Sequence, residues 1–183
     1  QEKYSLLDAL VVGGLGITIL NNVDAVEIAC LAQLLNVISP ITTDEDGHLL
    51  KQTIYYPFQL LTEYGRGEVL KPHIESDTQS TDYGDIPVVE TATVYDKANQ
   101  QLHVFALNSD TKQSSTLALH LTGFKSINLT EHITFTGDDL KAINTFENPN
   151  NVIPTKLSTE NESLDNLTLP KASWNVLTFD VAE

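Results

Sequence analysis

The N-terminal part of the chain, up to about residue 70, carries apolar runs separated by short polar breaks. The run at 6–20 predicts a first helix, with Ser5 and Asp8 placed as a capping box at its start. Residues 26–32 are apolar apart from Glu27, which is typical of a short strand buried on both faces of a parallel sheet. Together with a second helix, this pattern predicts one unit of an α/β architecture.

Three glycines lie inside the predicted first helix, at Gly13, Gly14 and Gly16. Each costs about 1 kcal/mol relative to alanine within a helix, so we expect close packing against another backbone to retain them. Their spacing is not GxGxxG and no strand precedes them, which argues against a phosphate-binding loop. In the second helix, Pro57 suits the first turn and Gly65 the C-terminal end.

The hydrophobic pattern changes near residue 71, and from residue 86 onward apolar and polar positions alternate. This period of two predicts strands, and the turn at 96–100 joins two of them as a hairpin. The predicted strands cover 88–95, 101–108, the alternating leucines of 117–121, 127–136 and 174–181. A polar loop is expected over about 138–165. Antiparallel strands joined by turns indicate a β-sandwich or jelly roll.

Charge and composition exclude several classes of function. A net charge of −15 argues against binding to nucleic acid or to an anionic membrane surface. The apolar run at 6–20 is shorter than the roughly 20 residues that span a bilayer, and it lacks the features of a signal peptide. A single cysteine, Cys30, excludes an intrachain disulfide and is expected to be an inert core thiol in a reducing, cytoplasmic compartment. No methionine occurs, so Gln1 is not expected to be a native start.

Candidate chemistry is sparse. None of the five histidines has a metal-ligand spacing to another histidine or to Cys30, so neither a metal site nor a cofactor is expected. Asp44, Asp46 and Gly47 faintly resemble a calcium loop, but the closing glutamate is absent and a plain turn is expected. The sequence also offers no pair of carboxylates that would face each other across a cleft, as glycoside hydrolysis requires.

Long stretches of the chain, in register over nearly its whole length, closely resemble the α-L-arabinofuranosidases of glycoside hydrolase family 51. The matching motifs lie at 4–14, 26–41, 52–58, 64–67, 85–87, 90–108, 147–150 and 169–176. The resemblance implies that residues 1–70 are the last helix–strand–helix of a (β/α)8 barrel and that residues 71–183 are the jelly-roll β-sandwich that follows it. The two catalytic glutamates of this retaining family belong to earlier barrel strands, so no catalytic residue is expected in this chain.

The resemblance also implies an exo-acting enzyme that releases terminal arabinofuranose from arabinan, arabinoxylan or their oligosaccharides. Its partners would be the remainder of the barrel and further copies, commonly as a hexamer. Gln33 matches the glutamine that contacts arabinose, and Asn36 is a weaker candidate behind it. From the residues alone, a glutamine that satisfies loop backbone is the favoured interpretation of Gln33. The alternative function is a stand-alone carbohydrate-binding or protein-interaction sandwich.

Overall fold

A computed structural model describes residues 2–160 and 162–182. Gln1, which was not expected to be a native start, lies outside the described residues. The helices are α1 (Leu6–Asn21) and α2 (Tyr55–Tyr64). The strands are, in chain order, β1 (Ile41–Thr43), β2 (Leu49–Lys51), β3 (Glu68–Leu70), β4 (Thr78–Thr81), β5 (Gly84–Pro87), β6 (Val89–Asp96), β7 (Gln101–Asn108), β8 (Ser115–Leu117), β9 (Ser126–Phe135), β10 (Thr155–Lys156), β11 (Leu167–Leu169) and β12 (Ser173–Ala182).

The centre of the fold is a six-stranded antiparallel sheet in the order β10-β9-β12-β7-β6-β3. The predicted hairpin is confirmed as β6 and β7, in which Val89 lies opposite Asn108 and Asp96 lies opposite Gln101. The last strand of the chain, β12, lies between β7 and β9 and is buried along most of its length. This sheet confirms the predicted β-sandwich class.

Each face of this sheet covers its own hydrophobic core. On one face α1 and α2 pack against Phe105, Trp174 and Val176. On the other face, side chains such as Leu177 and Phe179 pack beneath the small β8–β11 sheet and nearby loops. Each large side chain buried in this way contributes about 1.5–3 kcal/mol through apolar surface removed from water.

Helix α1 begins and ends as the sequence predicts. The Ser5 hydroxyl oxygen accepts from the Asp8 amide, and the Asp8 carboxylate accepts from the Ser5 amide at 2.8 Å, which completes the capping box. The helix glycines are closely packed, but against side chains and not against another backbone. A Cβ on Gly13 would lie 2.5 Å from Cδ1 of Trp174, and one on Gly16 would lie 2.2 Å from Cδ1 of Leu61.

The predicted buried strand at 26–32 is wrong. Residues 26–32 form no strand, and the nearest backbone pairing is one isolated bridge between Leu35 and Ile41. Ile28 is 82% exposed, and Cys30 is exposed instead of lying in the core. A parallel strand needs a neighbouring strand and covering helices. Among the described residues, this segment has no neighbouring strand, and both helices pack on the antiparallel sheet instead. No barrel part is therefore present in the described residues.

Other boundaries differ in smaller ways. The alternating leucines were expected to form a strand through residue 121, but β8 ends at Leu117. Leu119 packs on the second core from a loop, where its amide donates to the Leu164 carbonyl at 2.7 Å. The expected polar loop at 138–165 contains the short strand β10.

Among the described residues no helix combines the length and apolarity needed to cross a bilayer. The division of the chain at residues 70 and 71 stays a prediction.

Candidate functional site

Gln33 lies in the segment that leaves the C-terminal end of α1 and returns to its N-terminal end. Two hydrogen bonds of 2.8 Å hold the returning end of this segment. The Glu2 backbone amide donates to the Val37 carbonyl, and the Tyr4 hydroxyl donates to the Ile38 carbonyl. Gln33 itself is exposed with a φ of 51°. It does not end a buried strand as expected, and its contact with substrate stays a prediction.

Asn36 organises the turn that follows Gln33. Its side-chain oxygen accepts from the Thr43 backbone amide at 2.8 Å. Its backbone amide donates to the Ile41 carbonyl, also at 2.8 Å. Asn36 and Val37 have φ values of 60° and 59°. Asparagine tolerates this left-handed conformation, but a β-branched valine is strained in it. The turn therefore ties Asn36 to β1 and stores backbone strain beside it.

An apolar set of side chains on α1 and on the returning segment is exposed. We call it the exposed apolar set; its members are Leu7, Val11, Leu15, Val23, Ile28, Leu34, Leu35, Val37 and Ile38. On α1 these side chains lie on the helix face opposite the sheet, which is the face that the uniformly apolar sequence predicts to be covered by a second neighbour. A group of large exposed apolar side chains is typical of an interaction surface.

A polar cluster joins α2 to the helix-covered face of the sheet. The Tyr64 hydroxyl donates to Glu131 at 2.7 Å, and Lys156 forms an ion pair with the same carboxylate. Burial alone would raise the pKa of Glu131, but the hydrogen bonds from Lys156 and Tyr64 outweigh it and lower that pKa. Burial, assisted by Glu131, raises the pKa of Tyr64. The cluster is an anchor for α2, and it contains no pair of carboxylates.

His103 lies at the centre of this region, with its ring edge-on to Tyr64 at a centroid distance of 5.2 Å. Its Nδ1 is 3.1 Å from the Thr178 hydroxyl. Burial lowers the pKa of His103, against the smaller opposing effects of Asp96 and Glu131. The imidazole is therefore held in its neutral form, and it serves packing.

The Asp44 turn brings three potential metal ligands together, because ligand atoms of Asp44, Asp46 and His48 lie within 4.8 Å of one another. The Asp44 carboxylate accepts from the amides of Asp46 and His48 and contacts His48 Nδ1 at 2.7 Å. The side-chain hydrogen bond from His48 lowers the pKa of Asp44. These are the contacts of the hairpin turn between β1 and β2, and they support the plain turn predicted from the sequence.

Sequence reasoning missed one feature of the structure. The pairing of buried His132 with Glu162 at 2.9 Å had no sequence signal, because 30 residues separate the partners.

An antiparallel sandwich with helices on one face defines the structural class, and comparison with known proteins identifies the family. Residues 1–173 match the family described as the α-L-arabinofuranosidase C-terminal domain. The chain therefore belongs to that family. This finding confirms the resemblance noted in the sequence.

Individual relatives agree with this assignment. The chain is 42% identical over 180 residues to intracellular exo-α-(1→5)-L-arabinofuranosidase 1 of Bacillus subtilis, covering 97% of this chain and 36% of that protein. It is 36% identical over 183 residues to the exo-α-(1→6)-L-arabinofuranosidase of Bifidobacterium longum, covering 97% of this chain and 35% of that protein. The chain thus spans about a third of the length of these curated relatives.

Solved structures share the fold. The family 51 α-L-arabinofuranosidase AbfB of Bifidobacterium longum aligns with a TM-score of 0.90 at 35% identity, covering 98% of this chain and 34% of that one. The arabinose complex of the Thermotoga maritima α-L-arabinofuranosidase aligns with a TM-score of 0.82 at 26% identity, covering 97% of this chain and 39% of that one. The match covers the sandwich together with both helices.

Proposed function

We propose that this chain is the C-terminal part of a retaining, exo-acting α-L-arabinofuranosidase. The observation that carries the proposal is its 42% identity, over nearly its whole length, to an enzyme named for that activity. The parent would remove terminal arabinofuranosyl residues from arabinan, arabinoxylan or their oligosaccharides in the cytoplasm. The catalytic acid/base and nucleophile would lie outside this chain, since the described residues present no facing carboxylate pair.

The remainder of the parent's barrel is the proposed partner of the exposed apolar set. The curated relatives are nearly three times as long as the region they share with this chain. The set lies on the side of α1 turned away from the sandwich, with Val11 56% exposed and Leu15 57% exposed. Covering it would remove large apolar side chains from water, which favours association. In the same parent, copies of the protein would assemble as a homo-oligomer, commonly a hexamer.

Gln33 is the proposed substrate contact. It matches the glutamine that contacts arabinose in the family that the sequence resembles, and its side chain is exposed after the apolar segment at 26–32. A primary amide both donates and accepts hydrogen bonds, which suits a sugar hydroxyl. Asn36 would support it by fixing the following turn through Thr43. Gln33 would orient the sugar and take no part in proton transfer or covalent chemistry.

The test uses the full-length protein that carries this chain, with an aryl α-L-arabinofuranoside as substrate. Wild-type protein should hydrolyse it, whereas Gln33→Ala should lower kcat/KM roughly ten- to a hundredfold through the loss of one hydrogen bond worth about 1–3 kcal/mol. Gln113→Ala, at an exposed position on the sandwich, is the matched control and should leave kcat/KM unchanged. Wild-type kcat/KM in Gln33→Ala would make Gln33 structural, and an inactive parent would overturn the proposed activity itself.

A further inference from the structure

A cleft lies between β2, the first turns of α2 and the loop that precedes β10. Its volume is about 520 Å³, within the range of roughly 300–1,000 Å³ that is typical of small-molecule sites. We call this cleft the α2 pocket. Its lining includes Lys51, Tyr56, Gln59, Pro149, Asn150 and Ile153.

The walls of the α2 pocket are fixed by contacts within the protein. The buried Asn144 amide donates to the Lys51 carbonyl at 3.1 Å and to the Val152 carbonyl at 3.0 Å. The Asn144 side-chain oxygen accepts from the Val152 backbone amide at 2.7 Å, so the loop is tied to β2. On the helix side, the Tyr56 ring packs against the Phe135 ring at a centroid distance of 5.9 Å. Fixed walls reduce the entropy that is lost when a ligand binds.

Three uncharged side chains of the lining carry hydrogen-bonding groups that remain available to a ligand. The Tyr56 hydroxyl and the Asn150 side-chain amide have no hydrogen-bond partner among the described residues. The Gln59 amide donates to Glu63 at 2.8 Å, which leaves its oxygen and one of its two amide protons available. Both amides and the hydroxyl can therefore donate and accept hydrogen bonds.

The charges of the α2 pocket favour a neutral ligand. Its described lining contains no carboxylate, which is the group that usually binds a divalent cation. Its one cationic group, the Lys51 ammonium, lies 4.7 Å from the centroid of the Tyr55 ring, and the chain carries a net charge of −15, which disfavours an anion. A wholly apolar ligand would desolvate the amides and the hydroxyl without replacing their hydrogen bonds. A neutral ligand that carries several hydroxyl groups fits these constraints.

We propose that the α2 pocket binds an arabinofuranosyl unit of an arabinan chain or of an arabino-oligosaccharide. The proposal rests on the proposed function, which supplies the chemistry of the sugar. Sugar hydroxyls donate and accept hydrogen bonds, as the amides of Gln59 and Asn150 do. The C–H groups of the furanose ring pack on the apolar surface of Tyr56, Pro149 and Ile153. Binding a further sugar unit raises the affinity for a chain substrate relative to a single glycoside.

Steady-state kinetics of the full-length protein on two substrates test this site. An aryl α-L-arabinofuranoside contains one sugar, which is the one released, whereas a long arabino-oligosaccharide has further units that can enter the α2 pocket. The double variant Gln59→Ala with Asn150→Ala should raise KM for the oligosaccharide roughly tenfold and leave kcat unchanged, because it removes hydrogen bonds made equally in the ground and transition states. Both constants for the aryl glycoside should stay at their wild-type values, which also shows that the variant is folded.

A conservative variant and a matched control accompany this measurement. Tyr56→Phe removes one hydroxyl and keeps the ring that packs on Phe135, so it should raise the same KM by a smaller factor, roughly three- to fivefold. The double variant Gln113→Ala with Asn128→Ala removes the same two kinds of amide from exposed positions on the sandwich. It should match the wild type on both substrates.

An unchanged KM for the oligosaccharide in the variant Gln59→Ala with Asn150→Ala would overturn the proposal and assign the pocket to another occupant, such as an extended peptide. Equal losses on both substrates would also overturn it, because the defect would then not depend on a further sugar unit.

A full-length protein that hydrolyses neither substrate would refute the proposed function instead. Affinity electrophoresis in gels that contain arabinan then decides on the α2 pocket without any catalysis. Retardation of the wild-type protein that the variant Gln59→Ala with Asn150→Ala loses would support the sugar site. Equal migration of the two proteins would overturn it.

Discussion

At the scale of single residues, the missing side chain of a glycine sets how closely α1 approaches the sheet. Gly13 lies against the indole ring of Trp174, and Gly16 lies against Leu61. The two helix glycines thus meet different obstacles, since an indole ring is rigid and a leucine tip can rotate. The indole contact is therefore the stricter constraint on the sequence.

Gly13→Ala should lower the free energy of unfolding by about 1–3 kcal/mol, because its Cβ would overlap the Trp174 ring and push α1 away. Urea unfolding followed by the fluorescence of Trp174, the one tryptophan of the chain, measures this loss. Gly14→Ala is the control, since its Cβ would meet only the Leu107 tip at 3.1 Å. That variant should be neutral or slightly more stable through helix propensity. Equal losses in the two variants would contradict the role of the indole.

His103 predicts a pH effect of defined sign. Burial lowers its pKa in the folded state, so the unfolded chain binds the proton more readily. The stability associated with neutral His103 is therefore complete above the ordinary histidine pKa of about 6.5 and declines as the pH falls below it. Urea unfolding between about pH 7.5 and pH 5 should show a smaller acid loss in His103→Gln than in wild type. His120→Gln, at an exposed position, should follow the wild-type profile.

At the scale of elements, α1 has two apolar faces with different partners. One face packs on α2, β6, β7 and β12, and the other carries the exposed side chains Leu7, Val11 and Leu15. A soluble helix normally exposes its polar face, so an apolar outer face indicates a missing neighbour. The adjoining segment has the same character, which explains why its sequence resembles a buried strand while its backbone lies in the open.

The 183-residue chain should therefore self-associate through α1, and the double variant Val11→Lys with Leu15→Lys should reduce that association. Light scattering across a concentration series measures the effect. Thr18→Lys is exposed on the same helix and adds charge without removing apolar surface, so it should retain more of the association. A monodisperse, single-chain species of the wild-type sequence would contradict the expectation.

At the scale of the whole molecule, the two helices and the sandwich pack together as one unit. The proposed reaction nevertheless needs residues outside this unit. Retaining hydrolysis needs a nucleophile and an acid/base about 5–5.5 Å apart. The Glu131 carboxylate on the helix-covered face is paired with Lys156 and Tyr64 and is thus not available for catalysis.

The purified 183-residue chain should accordingly show no turnover of an aryl α-L-arabinofuranoside, whereas the full-length protein should hydrolyse it. A colorimetric assay at matched concentrations compares them. Hydrolysis by the pure chain would refute the assignment of catalysis to the missing part. Calorimetric binding of arabino-oligosaccharides by the chain alone would instead favour the stand-alone carbohydrate-binding alternative.

The sequence by itself determined the features that depend on local patterns. The capping box of Ser5 and Asp8, the hairpin of β6 and β7, and the long strands β9 and β12 follow from periodicity and turn chemistry. The order of several motifs along the chain, which matches the order in the family, indicated the family. Each of these signals is carried by residues close together along the chain, or by the order of motifs, so no three-dimensional information was needed.

Only the tertiary structure decided which partners each element meets. The apolar segment at 26–32 has the composition of a buried strand, but a strand requires hydrogen-bonding neighbours that its own sequence does not specify. The structure turned both helices onto the sandwich, left Gln33 and Cys30 exposed, and brought His132 and Glu162 together. Burial and pairing are properties of the assembled chain, because they depend on residues that are distant in sequence.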